Sequence, residues 1–235
     1  AVAALLSPRW RVVAYDRRGH GGSTEPGGQG HISQDVADLH GVIEAIGQGP
    51  VHLVGHSFGG GVALRLAATH PECVRTLTLM EPGAYQLLQE AGRDDLWLDF
   101  QQVMDAFRLA VAEGDPDTAW ALFFDAYCSH VGPWRALPEA TREAIKKKTP
   151  AQLRVYGAQA SNPTRLSHIR QLACPTLVIH GQASQAPERA VCELIAAHAP
   201  LGRGQGKRGG GGGGAERLRV PGAEVFGRFA LLHPV

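Results

Sequence analysis

No stretch of the 235 residues approaches the roughly 20 apolar positions that a bilayer-spanning helix needs, so no membrane-spanning helix is expected. The opening residues 1–8, AVAALLSP, contain neither the basic segment nor the cleavage signal of an export leader, and a cytoplasmic protein is expected. That expectation is conditional on no export signal having been lost ahead of Ala1, which stands where a methionine would begin a chain. Cysteine is scarce and scattered. Cys73, Cys128, Cys174 and Cys192 form no CxxC pair, and a chain of this length needs no disulfide staples, so reduced and mostly buried thiols are expected. Charge of one sign is also missing: 23 Lys and Arg against 22 Asp and Glu give a formal charge of +1, too little to draw the chain to nucleic acid or an anionic membrane. The short basic patches Arg17-Arg18 and Lys146-Lys147-Lys148 have no interleaved aromatics and read as solvated faces. A small-molecule partner is the remaining default.

What is present is globular, with 44% hydrophobic residues and enough length for a sizeable core. WRVVAY, residues 10–15, is a β-branched apolar run ending in turn material, and predicts a strand. Ile32, Val36, Leu39, Ile43 and Ile46 recur at helical spacing, with Ser33 as the expected N-cap and Gly47 as the stop. Further strands are predicted over residues 51–55, 74–81 and 175–181, with helices over 60–69 and through Val191, Leu194 and Ile195. Alternation of this kind implies a mostly parallel α/β sheet flanked by helices. Between the third and fourth strands, helices are predicted over 85–90, 96–113, 117–127 and 139–147, broken at Gly114-Asp115-Pro116 and Gly132-Pro133. This gives a discontinuous core of residues 1–82 and 172–235 with an inserted all-helical cap, 83–171, whose aromatics and Met104 pack against the core or line a cavity. Residues 202–216, GRGQGKRGGGGGGAE, hold six consecutive glycines, and the entropy of ordering them predicts a flexible loop. No strand feeds this loop and no Lys-Ser/Thr follows it, so it is not a phosphate cradle.

The chemistry-bearing stretch is VHLVGHSFGGGVALRLAATHP, residues 51–71. Gly55-His56-Ser57-Phe58-Gly59 fits G-x-S-x-G between a buried strand and a helix. A strand pinched into a helix at one residue strains that residue, and the glycines on either side, Gly55 and Gly59, relieve the crowding. The Ser57 hydroxyl is thereby presented above the strand ends, and the backbone N–H of Phe58, at a helix N-terminus, is placed to donate to an oxyanion. His56, adjacent in sequence and pointing elsewhere on the turn, reads as packing.

At these residues the chain resembles the α/β-hydrolase fold superfamily. RVVAYDRRGHGGS is similar to the strand and loop that precede the elbow in that family, HLVGHSFGGGVALRLAATHPECVRTLTLMEP to the elbow through the next strand, and CPTLVIHG to the strand after the cap. The cap, with LMEPGAYQLL and GPWRALP, resembles a bacterial group of general α/β-fold hydrolases. The resemblance gives Asp16 and Arg18 loop-organising roles. It implies a serine hydrolase acting on a small apolar ester or related acyl substrate, with no metal and no organic cofactor.

A serine nucleophile needs a base, and the base an orienting anion. In the family the acid often follows the strand matched by PTLVIHG, where this chain has Gln182-Ala183-Ser184-Gln185 and no carboxylate before Glu188. Some relatives carry the acid at the end of the strand after the elbow helix, which makes Glu81 the expected acid; its alternative role is to cap a strand-end loop. The family's base follows the last strand in a phrase like the local Pro221-Gly222-Ala223-Glu224-Val225, but Val225 cannot accept a proton. His233 is the remaining histidine after the last strand and is the assigned base, although it resembles a downstream His-Pro that is usually not catalytic. His168 and His180 read as structural. The family's first strands and second oxyanion donor are absent here, so the chain is expected to be N-terminally truncated and C-terminally atypical. Loss of the strand that belongs between WRVVAY and VHLVG is expected to leave unpaired edges inside the sheet. Two alternatives stand beside the serine hydrolase: a catalytically inactive fragment or binding protein on the same fold, and a C–C bond hydrolase or lyase. Dehalogenation is disfavoured because its usual nucleophile is aspartate.

Overall fold

The computed structural model describes residues 2–24, 28–47, 49–128, 134–181, 183–200, 217–218 and 230–234. Six strands form one sheet: β1 (Trp10–Val13), β2 (Val51–His56), β3 (Val74–Met80), β4 (Thr176–Ile179), β5 (Arg217–Leu218) and β6 (Ala230–Pro234). Their spatial order is β1-β6-β2-β3-β4-β5, and β2 through β5 are parallel. Helices α1 (Val2–Leu6), α2 (Ile32–Ile46), α3 (Phe58–Thr69) and α10 (Ala186–His198) belong to this α/β part.

The gap expected between β1 and β2 is filled. β6 lies in it antiparallel to both neighbours, pairing Arg11 with His233 and Val12 with Leu232 on one side, and His52 with Leu232 and Val54 with Ala230 on the other. Buried backbone donors and acceptors demand partners, and a strand of either direction can supply them.

Helix α2 forms where the apolar spacing predicts it, burying Ile32, Val36, Leu39 and Ile43. It ends at Gly47, which adopts φ 68° and returns its N–H to the Ile43 carbonyl. The cap at its other end differs from the expectation. His31 is the N-cap, and the Ser33 hydroxyl lies 2.7 Å from His31 Nδ1 instead of receiving a backbone N–H at the helix start.

Between β3 and β4 run α4 (Gln86–Glu90), α5 (Asp94–Ala112), α6 (Pro116–Tyr127), α7 (Glu139–Lys146), α8 (Thr149–Ala160) and α9 (Leu166–Arg170). Asp115 caps α6 by accepting from the Thr118 N–H at 2.9 Å. The aromatics of this segment mostly pack on one another: Phe107 meets Trp120 and Tyr156 edge to face, and Trp134 lies against Trp120 and Phe124. Met104 is buried with them. Helix α8 was not predicted, because its buried face is made of Thr149, Ala151, Val155, Tyr156 and Ala158 rather than a stripe of large aliphatics. It presses backbone to backbone on the segment before α2: a Cβ on Gly30 would lie 1.9 Å from the Arg154 carbonyl oxygen. The predicted break at Gly132-Pro133 and the glycine-rich loop 202–216 lie outside the described residues.

Helix α3 starts at Phe58, two residues earlier than its apolar pattern suggests. It packs unusually close to the chain that follows β3. A Cβ on Gly60 would meet Pro82 at 2.8 Å, and one on Gly61 would meet the Gly83 carbonyl oxygen at 2.5 Å. Alanine in an ordinary helix interior stabilises by up to about 1 kcal/mol over glycine. Here the clash reverses the sign, and Gly61→Ala is expected to destabilise by about 2 kcal/mol, the usual scale of overpacking. Urea unfolding of the two proteins decides between the signs.

Candidate active site

Ser57 sits at the junction of β2 and α3 with φ 51° and ψ −127°, a conformation that costs a non-glycine residue on the order of 1–3 kcal/mol. Its backbone is fixed on both sides. The Ser57 N–H donates to the Met80 carbonyl at 2.9 Å, and its own carbonyl accepts from Gly83 N–H at 2.7 Å and Gly61 N–H at 3.1 Å. The space inside the bend is closed: a Cβ on Gly55 would lie 2.7 Å from the Gly59 carbonyl oxygen and 3.0 Å from the Ala63 methyl. Crowding therefore falls on Gly55, Gly60 and Gly61, while Gly59 contributes the carbonyl against which Gly55 packs. Ser57 is half-buried, and among the described residues none hydrogen-bonds its hydroxyl. The Phe58 N–H is the first of α3, where helix N–H groups have no intrahelical partner.

The loop after β1 braces this turn. Arg17 is buried, with its guanidinium 4.6 Å from the centre of the Phe58 ring and 3.7 Å from Asp35. The reading of Arg17 as a solvated face is thus corrected: burial lowers its pKa while Asp35 opposes that shift. Arg18 donates to both oxygens of Asp38, Nη2 to Oδ1 at 2.7 Å. Asp16 holds the loop by accepting from Gly22 N–H at 3.1 Å, and its carbonyl accepts from the Ser23 hydroxyl at 2.6 Å.

Glu81 follows β3 directly, at φ 45°, and its N–H donates to the Ile179 carbonyl at the end of β4. One carboxylate oxygen, Oε1, accepts from the Gly181 N–H at 2.9 Å and from the Ser184 hydroxyl. The loop after β4 supplies no acid of its own, yet it clamps the acid of the neighbouring strand. Ser184 is not a carboxylate, and its only sequence signal is a hydroxyl in the loop that follows β4.

Among the described residues, none of His56, His180 and His168 hydrogen-bonds the Ser57 hydroxyl. His56, the last residue of β2, has a buried Nδ1 without a partner among the described residues. Burial lowers its pKa, and the Glu81 charge only partly offsets that. His180 Nδ1 lies 2.9 Å from the Gly181 carbonyl. His168 Nδ1, in α9, accepts from the Arg165 N–H.

His233 is not brought to Ser57. The antiparallel register places its backbone opposite Arg11, one residue beyond the Leu232–His52 pair, at the end of the sheet opposite the elbow. At the rise of a strand, six residues separate the two levels by roughly 20 Å. Val225 lies outside the described residues.

A cavity of about 350 Å³ opens between α5, α6 and the start of α10, lined by Asp99, Phe100, Asp125, Tyr127 and Glu188. Glu188 is buried, accepts from the Tyr85 hydroxyl at 2.7 Å, and has its pKa raised by burial. Neither Ser57 nor Glu81 lines this cavity.

Ser57 thus sits strained between a parallel strand and a helix, with the Glu81 carboxylate held at the adjoining strand ends. A model of the alpha/beta hydrolase fold matches residues 1–201, and the chain belongs to that family. It is 30% identical over 204 residues to a fluoroacetate dehalogenase from Burkholderia sp, covering 77% of this chain and 66% of that protein. It is 42% identical over 94 residues to a 2-hydroxymuconate semialdehyde hydrolase from Pseudomonas sp. (strain CF600), covering 39% of this chain and 33% of that one. The chain thus spans just under two thirds of the first relative and a third of the second. Among solved structures, a hydrolase from Pseudomonas aeruginosa PA01 superposes with TM-score 0.60 at 23% identity, covering 88% of this chain and 70% of that chain. A bromoperoxidase from Bacillus anthracis superposes with TM-score 0.61 at 20% identity, covering 88% and 71%. Among the described residues no helix is long and apolar enough to cross a membrane.

The buried His56 sets a pH dependence. Its folded pKa lies below the ordinary value, so the unfolded chain takes up the proton first as pH falls. The stability associated with neutral His56 is present above about pH 6.5 and is lost as pH drops below it. Denaturant unfolding of wild type and His56→Gln between pH 8 and 5 is expected to show a shallower acid-side loss in the variant.

Proposed function

We propose that the chain carries the nucleophile and acid of a serine hydrolase that acts on a small, largely apolar ester or related acyl compound. Ser57 attacks the carbonyl carbon, its proton passes to an imidazole, Glu81 orients that imidazole, and the Phe58 N–H receives the developing oxyanion. The helices between β3 and β4 form the cap of this site. The observation that carries the reading is the backbone of Ser57 itself: a non-glycine residue held at φ 51° between strand and helix, with no structural bond to its hydroxyl among the described residues. The clamp on Glu81 supports its role, because Gly181 and Ser184 occupy Oε1 and fix the carboxylate. A serine at the elbow directs the chemistry to acyl transfer, since its oxygen forms an ester with a carbonyl carbon. The imidazole is not His233 in this arrangement, because its strand runs away from the elbow.

Two other readings have specific support. No described histidine bonds the Ser57 hydroxyl, which favours a non-catalytic protein that keeps the fold and binds a small molecule. The likeness to a semialdehyde hydrolase favours hydrolysis of a C–C bond next to a carbonyl, with the same serine.

A serine-directed fluorophosphonate probe tests the primary reading. It is expected to label the wild-type chain and to lose its target in Ser57→Ala; equal labelling of both, or none of either, rejects the reading. Hydrolysis of p-nitrophenyl acetate is expected to vanish in Ser57→Ala. In Glu81→Gln it is expected to fall by about 10²- to 10⁴-fold, the scale of losing the orienting acid of a triad.

A further inference from the structure

Far from the elbow, at the other end of α3, three different metal-ligating groups converge. His40 projects from the third turn of α2, while Glu72 and Cys73 belong to the short 3-10 turn that leads from α3 into β3. One ligand atom from each lies within 4.8 Å of the others. We propose that His40, Glu72 and Cys73 form a binding site for a borderline-soft divalent cation of the zinc class, held by imidazole nitrogen, carboxylate oxygen and thiolate sulfur with water in the fourth position.

The donor set suits that ion. Zinc accepts N, O and S ligands tetrahedrally at about 2.0–2.3 Å, which places neighbouring donor atoms about 3.3–3.8 Å apart. The present spacing requires the side chains to close by about 1 Å. Glu72 is mostly exposed and supplies most of that movement, while Cys73 and His40 are partly exposed. A thiolate together with an imidazole also selects against magnesium and calcium, which take oxygen ligands.

The surroundings are electronegative and oriented. Glu44, one turn along α2, stands 3.8 Å from His40 Nδ1, and His70 Nδ1 stands 3.5 Å from Glu72 Oε1. The His40 and His70 rings stack at 4.3 Å, which holds the imidazole against the turn. His70 is also the C-cap of α3, so the negative end of that helix points at the group. Burial, and after it the Glu72 and Glu44 carboxylates, push the Cys73 thiol up, and the cation displaces its proton to solvent on binding. Cys73 is the one cysteine that is not buried; Cys128, Cys174 and Cys192 are, and burial pushes Cys192 up to about 12. A bound ion ties α2 to the α3–β3 turn, more than thirty residues along the chain.

The test uses cobalt(II) as a spectroscopic stand-in for zinc, added to the reduced full chain. The expected result is one equivalent bound with a thiolate-to-cobalt charge-transfer band in the near ultraviolet and the strong visible bands of four-coordination. Cys73→Ser is expected to abolish the charge-transfer band, and His40→Ala and Glu72→Gln to weaken zinc binding at least about tenfold. Zinc is expected to raise the melting temperature of the wild type in a concentration-dependent way, and not that of Cys73→Ser. Absence of the charge-transfer band, or its persistence at full strength in Cys73→Ser, overturns the proposal. Circular dichroism confirms that each variant is folded; Glu72 is mostly exposed, and Cys73 packs only against the edge of the core.

Discussion

The placement of Ser57 depends on one backbone bend that has no room inside it. Where β2 becomes α3, the chain turns within a single residue, and Gly55, Gly60 and Gly61 stand where any side chain would collide with the Gly59, Pro82 or Gly83 backbone. The bend is also held from outside, by the bonds that join Ser57 to Met80, Gly61 and Gly83. Strain of this kind persists only where neighbours over-determine it. The consequence is that β2, α3 and the segment after β3 act as one unit, and the hydroxyl at residue 57 is positioned by backbone alone.

The acid end follows from the same parallel geometry. Because β3 and β4 end side by side, the first residue beyond β3 lies next to the loop beyond β4, and Glu81 is reached by Gly181 and Ser184 one hundred residues later. A carboxylate can therefore belong to one strand and be held by the next. Desolvation of the neighbouring His56, which would favour its neutral form, is countered in part by this same carboxylate.

Much of this was legible in the sequence, and the reasons are local. The spacing of Ile32, Val36, Leu39 and Ile43 encodes α2, and Gly47 encodes its end, because helix periodicity and a left-handed stop need no tertiary information. The elbow was legible because its constraint is written in consecutive residues. What escaped notice depends on partners distant in sequence. Arg17 reads as surface charge in the sequence, and its burial becomes tolerable through Asp35, the Phe58 ring and His20. Ser184 carries no signal of its own until Glu81 is beside it. Helix α8 hides because its core contacts are made by small residues and by the bare backbone of Gly30.

The placement of β6 exposes a competition that the sequence could not display. A parallel sheet with a vacant position between β1 and β2 has buried peptide groups on both sides, and any strand that enters satisfies them. β6 enters antiparallel, so its later residues run toward the N-terminal ends of β1 and β2. The elbow lies at the other ends. A strand in that slot and in that direction carries His233 away from Ser57 with every residue it adds, so the hydrogen bonding that completes the sheet and the delivery of this histidine to the nucleophile are mutually exclusive.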